Sequence, residues 1–351
     1  MNIHASVQKD ADNTFLPSLV RPNLAGALPI LTRLVSDTQA ELFLDGEAIA
    51  SAELQGDAEL RLSFTWKQDL DQEVTIAAVL VALECFFAAN EALDRLVLNL
   101  EETSFPLRSL PFVYRDGSDL VVSRSGFYQV PQMWLGHPQV NRTRSGLVDG
   151  PDGRDHPLRA PHPDGLVYQR FDPVAGLTVS FRTVDIDKDL DLFHRWMNDG
   201  RVAFFWELAL PKEELRAYLE QLIAKPHTYP LIGAFNGQDA GYFETYWVRE
   251  DRLGPFYDSG PWDRGWHGLI GERRHLGRVK TGAWLRGLAH YLFLDCPMTE
   301  NIMGEPRVDN AKLLTYADAL AYEKVKEFDF PHKRSALMRC RRDRFFNEVR
   351  L

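Results

Sequence analysis

The chain has 351 residues, more than one hydrophobic core usually organises, so two domains are expected. Apolar residues at 45% and aromatics at 11% exclude a disordered chain, and a net charge of −10 excludes a general nucleic-acid binder, which needs a basic face. Cys85, Cys296 and Cys340 lie far apart without CxxC spacing, which argues against a disulfide framework or a cysteine metal site.

Met1 to Asn13 is polar and reads as no secretory signal. The longest apolar run, Ile76 to Ala89, contains Glu84 and is short for a bilayer span, so a cytoplasmic protein with no membrane partner is expected. Glu59 to Trp66 alternates as a strand does, Thr75 to Leu93 is apolar nearly all round as a buried helix is, and Leu96 to Leu100 is a second strand. An α/β domain is expected over residues 1–136. Residues 137–165 are rich in Pro, Gly, His, Arg and Asp and read as a linker. His156 and His162 have metal-like spacing there but flank prolines, so no metal site is expected.

Residues 166–351 form the second expected domain. Leu177 to Val184 reads as a strand. Leu190, Phe193, Trp196 and Met197 make a helical face, and Pro211 opens a second helix with the stripe Leu215, Tyr218, Leu219, Leu222 and Ile223. Strands at Leu231 to Phe235 and Ala240 to Val248 flank the hairpin turn Asn236-Gly237. A strand at Trp266 to Gly271 runs through a basic loop into a helix beginning near Thr281, with Trp284, Leu285, Leu288, Tyr291 and Leu292 on one face. Asn301 to Gly304 is a short strand. Asp309 or Asn310 caps a helix with the stripe Leu313, Leu314, Ala317, Leu320 and Ala321, and strands near Val325 to Phe328 and Ser335 to Cys340 close the chain. The order is β-α-α-β-β-β-α-β-α-β-β.

Three groups of residues carry chemistry. Arg274, Gly277, Arg278, Val279, Lys280, Thr281 and Gly282 lie where backbone N–H groups and the helix dipole favour an anion, so they are candidates to hold a phosphorylated ligand. His267 interrupts an apolar strand; it is a core histidine or a base with a reference pKa of about 6.5. Glu244 and Tyr246 share a strand face, and Trp206 precedes the Pro211 helix; they are core or substrate contacts, with Glu305 and Asn310 further candidates. His332, Lys333 and Arg334 are an exposed turn or touch a substrate carboxylate.

The element order, with its basic loop between the fourth strand and third helix, resembles the GNAT acyltransferase fold. That fold is an α/β (α+β) arrangement, a mostly antiparallel mixed sheet flanked by helices. The words Asp263-Arg264-Gly265-Trp266-His267-Gly268-Leu269-Ile270-Gly271-Glu272, Gly304-Glu305-Pro306-Arg307-Val308-Asp309-Asn310 and Phe328-Asp329-Phe330-Pro331-His332-Lys333-Arg334-Ser335-Ala336-Leu337 are similar to those of the siderophore-biosynthesis branch, the hydroxylysine and hydroxyornithine acyltransferases. Val279 departs from the small residue usual at its place in the loop.

The resemblance implies acetyl-coenzyme A or another acyl-coenzyme A as cosubstrate and no metal. It implies N-acylation of a hydroxylated diamine or amino acid by direct attack in a ternary complex, for hydroxamate siderophores and iron acquisition. It implies His267 and Asp309 as a catalytic pair. It leaves room for association with other siderophore biosynthetic enzymes, and the first domain reads as a degenerate GNAT-like half. Two other readings stand beside it: the same fold acting on an aminoglycoside, polyamine or protein amine, and a non-catalytic GNAT-like binding protein.

Overall fold

The computed structural model describes residues 15–16, 30–57, 59–99, 110–140, 146–310, 314–316, 320–331 and 333–351. The chain divides into two compact units, Met1–Leu135 with Arg350–Leu351, and Gly136–Val349.

In the first unit, β1 (Phe15–Leu16), β2 (Ile30–Ser36), β3 (Gln39–Leu44) and β4 (Glu47–Gln55) form a meander. Asp45 and Gly46, both at positive φ (51° and 85°), make the β3–β4 hairpin. Next come β5 (Arg61–Trp66), α1 (Gln72–Ala89), β6 (Arg95–Asn99), β7 (Val113–Asp116), β8 (Asp119–Ser123) and the single turn α2 (Arg124–Phe127). The sheet order is β1-β2-β3-β4-β5-β6-β8-β7. Only β5 and β6, joined through α1, run parallel. The length and apolarity of α1 would suit a bilayer, but most of it is buried and it packs on β2 and β3 as a core helix.

The second unit holds the hairpin β9 (Leu147–Val148) and β10 (His156–Pro157), then β11 (Leu166–Asp172), β12 (Leu177–Thr183), α3 (Ile186–Met197), α4 (Gly200–Trp206) and α5 (Lys212–Ile223). It continues with β13 (Thr228–Phe235), β14 (Gln238–Trp247), β15 (Arg264–Ile270), α6 (Arg278–Asp295), β16 (Asn301–Gly304), β17 (Tyr322–Asp329), β18 (Arg334–Arg341) and α7 (Arg342–Glu348). The main sheet order is β11-β12-β13-β14-β15-β16-β18-β17, and only β15 and β16 are parallel. This is the order of the first sheet with every strand advanced by ten. The first unit joins its second and third strands by a tight turn where the second unit inserts α3, α4 and α5.

The stretch expected as a linker is packed into the second unit. Val140 N–H donates to Asp295 O at 2.9 Å, and the Arg159 guanidinium forms a buried pair with Glu250 while lying 4.0 Å from the Trp247 ring centroid. These anchors tie the described parts of this polar segment to the second unit. β11, α4 and α7 are additions to the expected order. Of the helix expected after Asn310, residues 314–316 are helical, while Leu313 and Ala317 lie outside the described residues.

Strand alternation sorts the second sheet into two faces. On one, Tyr242 and Leu269 pack with Leu190, Phe193 and Trp196 of α3 and Leu215 and Leu219 of α5. On the other, Phe243 packs tilted and Trp266 edge-on against Trp284 of α6, at 5.1 and 5.4 Å between centroids. Asn236 and Gly237 take φ of 48° and 73°, the turn their sequence requires. Toward one end of the first face, Tyr246, Val248, Leu253, Met303, Phe330 and Leu337 form a further apolar cluster.

Candidate active site

Between those two apolar clusters lies a strip of polar groups. Glu244 on β14 and His267 on β15 are register partners, so their side chains share one face. Nδ1 of His267 lies 3.4 Å from Glu244 Oε2. The other Glu244 oxygen accepts from Tyr218 Oη at 2.6 Å and Tyr242 Oη at 3.0 Å. On the far side, His267 Nε2 lies 2.9 Å from Glu305 Oε1. Tyr246 Oη donates to Glu305 Oε2 at 3.1 Å, and its ring stacks at 4.8 Å on the imidazole. Arg252 Nη2 donates to Glu305 Oε1 at 3.1 Å, and Lys333 Nζ donates to the Glu305 carbonyl at 2.8 Å. Gly265 makes the arrangement possible, because a Cβ there would stand 2.3 Å from the Tyr246 ring.

The imidazole is 24% exposed while Glu244 and Glu305 are 8% and 3% exposed, so solvent reaches the histidine and barely reaches its partners. Burial opposes the imidazolium, but Glu305 and then Glu244 outweigh it and push the His267 pKa up to about 10. Glu305, against its own burial, is held far below the usual carboxylate range by His267, Lys333 and Arg252. Burial opposes ionised Glu244 as well, and His267, Tyr218 and Tyr242 hold its pKa low. Both ring nitrogens thus face carboxylates, an environment that favours the imidazolium, while Arg252 Nη2 lies 3.2 Å from Nε2. The sequence predicts a base near its reference pKa; the carboxylates on either side raise it.

The structure therefore brings together four of the expected residues: His267, Glu244, Tyr246 and Glu305. Trp206 ends α4 and lies 5.7 Å from Tyr242, one residue removed from the cluster. Asp309 does not orient the imidazole. It is 65% exposed and forms a two-pronged pair with Arg307, at 3.0 and 2.9 Å, while Glu305 holds the place beside His267. Asn310 donates its N–H to Arg307 O in the same turn, and its own carbonyl accepts from Leu314. Tyr218, Tyr242, Arg252 and Asp251 belong to the site without having been expected. Tyr218 reads as helix stripe and Tyr242 as strand core, and only the alternation of Tyr242, Glu244 and Tyr246 on one strand signals a shared polar face.

The basic segment follows β15 directly. Arg273–His275 form a single 3-10 turn, and α6 begins at Arg278, earlier than expected. Gly277 caps it at φ 133°, a conformation costly for other residues, with no side chain to occupy the first N–H groups. Arg278, Val279, Lys280, Thr281 and Gly282 thus lie in the first helical turn. Among the described residues, Arg274 and Arg278 form no ion pair, and both are exposed. Lys280 Nζ donates to Arg274 O at 3.1 Å. This open, cationic helix start suits an anion such as a phosphate. Nearby, β15 and β16 pair only at Arg264↔Ile302 and Gly265↔Met303, so the sheet is unladdered beyond Gly265. His267 and Glu305 stand in that opening.

Residues 185–330 match the acetyltransferase (GNAT) domain family. N(6)-hydroxylysine O-acetyltransferase of Escherichia coli is 40% identical over 77% of this chain and 85% of its own length. A hydroxyornithine transacylase of Ajellomyces capsulatus is 34% identical over 70% of this chain and 63% of its own. The crystal structure of an uncharacterized protein from Bacillus halodurans superposes with TM-score 0.50 at 31% identity, covering 53% of this chain and 94% of that one. The chain belongs to the GNAT acyltransferases and is an enzyme of that class. Within the family it stands with the hydroxylysine and hydroxyornithine acyltransferases of siderophore biosynthesis.

Proposed function

We propose that this enzyme transfers an acyl group from acetyl-coenzyme A or another acyl-coenzyme A to the hydroxylamine nitrogen of N-hydroxylysine, N-hydroxyornithine or a related hydroxylated diamine. The product is a hydroxamate, the iron-chelating group of a siderophore, formed on this reading in the cytoplasm. The observation that carries this reading is the continuity of β15 into α6. One strand holds His267 in the sheet opening, and the helix that follows presents an open basic start. The relatives' names support the acceptor class.

The residues fit a coenzyme A diphosphate. Backbone N–H groups at Arg278, Val279 and Lys280 supply donors, Gly277 lets the chain come close, and Arg274, Arg278 and Lys280 supply positive charge. Thr281 and Gly282 complete the helix turn beneath.

A hydroxylamine nitrogen is far less basic than a lysine amine, whose reference pKa is about 10.4, so it is largely neutral at pH 7. It attacks without prior deprotonation and must shed a proton afterwards. The proton shed as the N–C bond forms passes through the His267–Glu305–Glu244 cluster, and the coenzyme A thiolate that leaves as the C–S bond breaks takes it up. Glu305 and Glu244 carry the negative charge, and His267 orients and balances them. Direct attack in a ternary complex follows, because all three cysteines are buried and none adjoins the cluster. Asp309 is left a role at the rim with Arg307, and Trp206 and Asn310 a role in shaping the acceptor end.

The test is free-thiol release from acetyl-coenzyme A with N-hydroxylysine or N-hydroxyornithine, read together with the coloured ferric complex of the product. Nitrogen acylation gives both signals. Oxygen acylation gives thiol without the hydroxamate colour, and no thiol with any hydroxylated amine contradicts the reading.

A further inference from the structure

Glu305 is crowded by more positive charge than it can balance. His267 lies 2.9 Å from it, Arg252 3.1 Å and the Lys333 ammonium 3.8 Å. Glu244 balances His267 from the other side. Asp251, the remaining acid beside them, is driven toward its neutral form by burial and by Glu305, against the pull of His267 and Arg252. Arg307 is already satisfied by Asp309. Arg252 and Lys333 therefore share Glu305 with His267, three basic groups around one carboxylate. Lys333 shows it: burial destabilises its ammonium, and Arg252 and Arg307 add repulsion that Glu305 only partly offsets.

Both cations are held in place. The Arg252 guanidinium lies 5.8 Å from the Phe330 ring centroid and the Lys333 ammonium 5.3 Å, so one aromatic ring supports the two. Lys333 is only 16% exposed and is tied to the Glu305 carbonyl. Arg252 is half exposed; among the described residues its Nη2 lies against Glu305 Oε1 and His267 Nε2, and its Nε and Nη1 have no hydrogen-bond partner. An open guanidinium N–H beside a partly buried ammonium suits a carboxylate, one oxygen of which can accept from each cation.

We infer that Arg252 and Lys333 form a carboxylate-recognition site at the edge of the catalytic cluster, and that one substrate of the acyl transfer carries that carboxylate. Its source is either the α-carboxylate of an amino-acid acceptor or the terminal carboxylate of a dicarboxylic acyl group. In both cases a hydroxylated diamine paired with a plain acetyl donor leaves the site empty. The inference rests on the acyl-transfer reading for its substrates, though not for its chemistry of recognition.

Calorimetric titration separates the two sources. The titrants are N-hydroxylysine against N-hydroxycadaverine, and succinyl- against acetyl-coenzyme A, each into the wild-type enzyme and into Arg252→Gln. The carboxylate-bearing member of one pair should bind about 100-fold more tightly, the scale of a well-placed charge pair, and Arg252→Gln should abolish most of that ratio. Lys333→Gln should reduce the ratio and Lys333→Arg should retain most of it. Equal binding within both pairs, or a ratio untouched by Arg252→Gln, overturns the assignment. Thiol release is read in parallel. A carboxylate preference that survives without thiol release counts against the acylation reading and for the recognition site.

Discussion

His267 and Glu305 stand two residues beyond Gly265 and Met303, the last ladder pair of β15 and β16, and their side chains meet at 2.9 Å where the backbones have stopped pairing. A side-chain bond takes over at the point where the sheet opens. Charge, strand splay and the exposed histidine edge therefore coincide at one place.

Removing either member should disable the reaction. His267→Gln and Glu305→Gln are each expected to lower kcat by about 100- to 10,000-fold, the range for a positioned proton-transfer group. The double variant should lose little more than the worse single one, because the two act as a unit. Steady-state kinetics with coenzyme A binding measured alongside checks this. Losses that multiply would show two independent roles.

Asp309→Asn should be mild by comparison, about threefold or less in kcat, since an exposed pair with Arg307 contributes little. A loss as large as that of Glu305→Gln would return Asp309 to the catalytic centre.

The His267 pair should also be visible in stability. Its pKa in the fold is pushed up to about 10, against about 6.5 in the unfolded chain. A raised pKa gives stabilisation that is complete below pH ~6.5 and is lost as pH climbs toward 10. Urea midpoints of wild type and His267→Gln should therefore differ most near pH 6 and converge near pH 10. A gap constant across that window would contradict the ion-pair description.

At the helix start, Arg278→Ala combined with Lys280→Ala should raise KM for acyl-coenzyme A by about tenfold with kcat little changed, and rising salt should shrink the difference. Unchanged KM would remove these two side chains from the binding of the cosubstrate.

Gly265→Ala should displace the Tyr246 ring and so its bond to Glu305, given the 2.3 Å approach. A loss of about 1–3 kcal/mol in stability together with reduced kcat is expected. Chemical denaturation and turnover on the same preparation check both halves.

Much of the second sheet was legible because its elements announce themselves locally. Asn236-Gly237 dictates its turn, and the stripes of α3 and α5 match the faces they bury, except that Ile223 at the end of α5 is exposed. His267, Glu244, Tyr246 and Glu305 stood out as polar residues in apolar company. The choice of Glu305 over Asp309 was not legible, because it depends on where β15 and β16 part, a long-range pairing with no local signature. Arg252 was hidden in a loop of ordinary composition. The meander β2–β4 carried a readable signal in Asp45-Gly46 that the helix-centred reading of the first domain passed over. Only the sheet order shows that the two units share a topology.

The most direct test of the account is a crystal structure of the enzyme with coenzyme A bound. The account predicts the diphosphate on the N–H groups of Arg278 to Lys280 and the sulfur in the opening between β15 and β16, beside His267 and Glu305. A diphosphate bound elsewhere, or a sulfur screened from that pair, would contradict it.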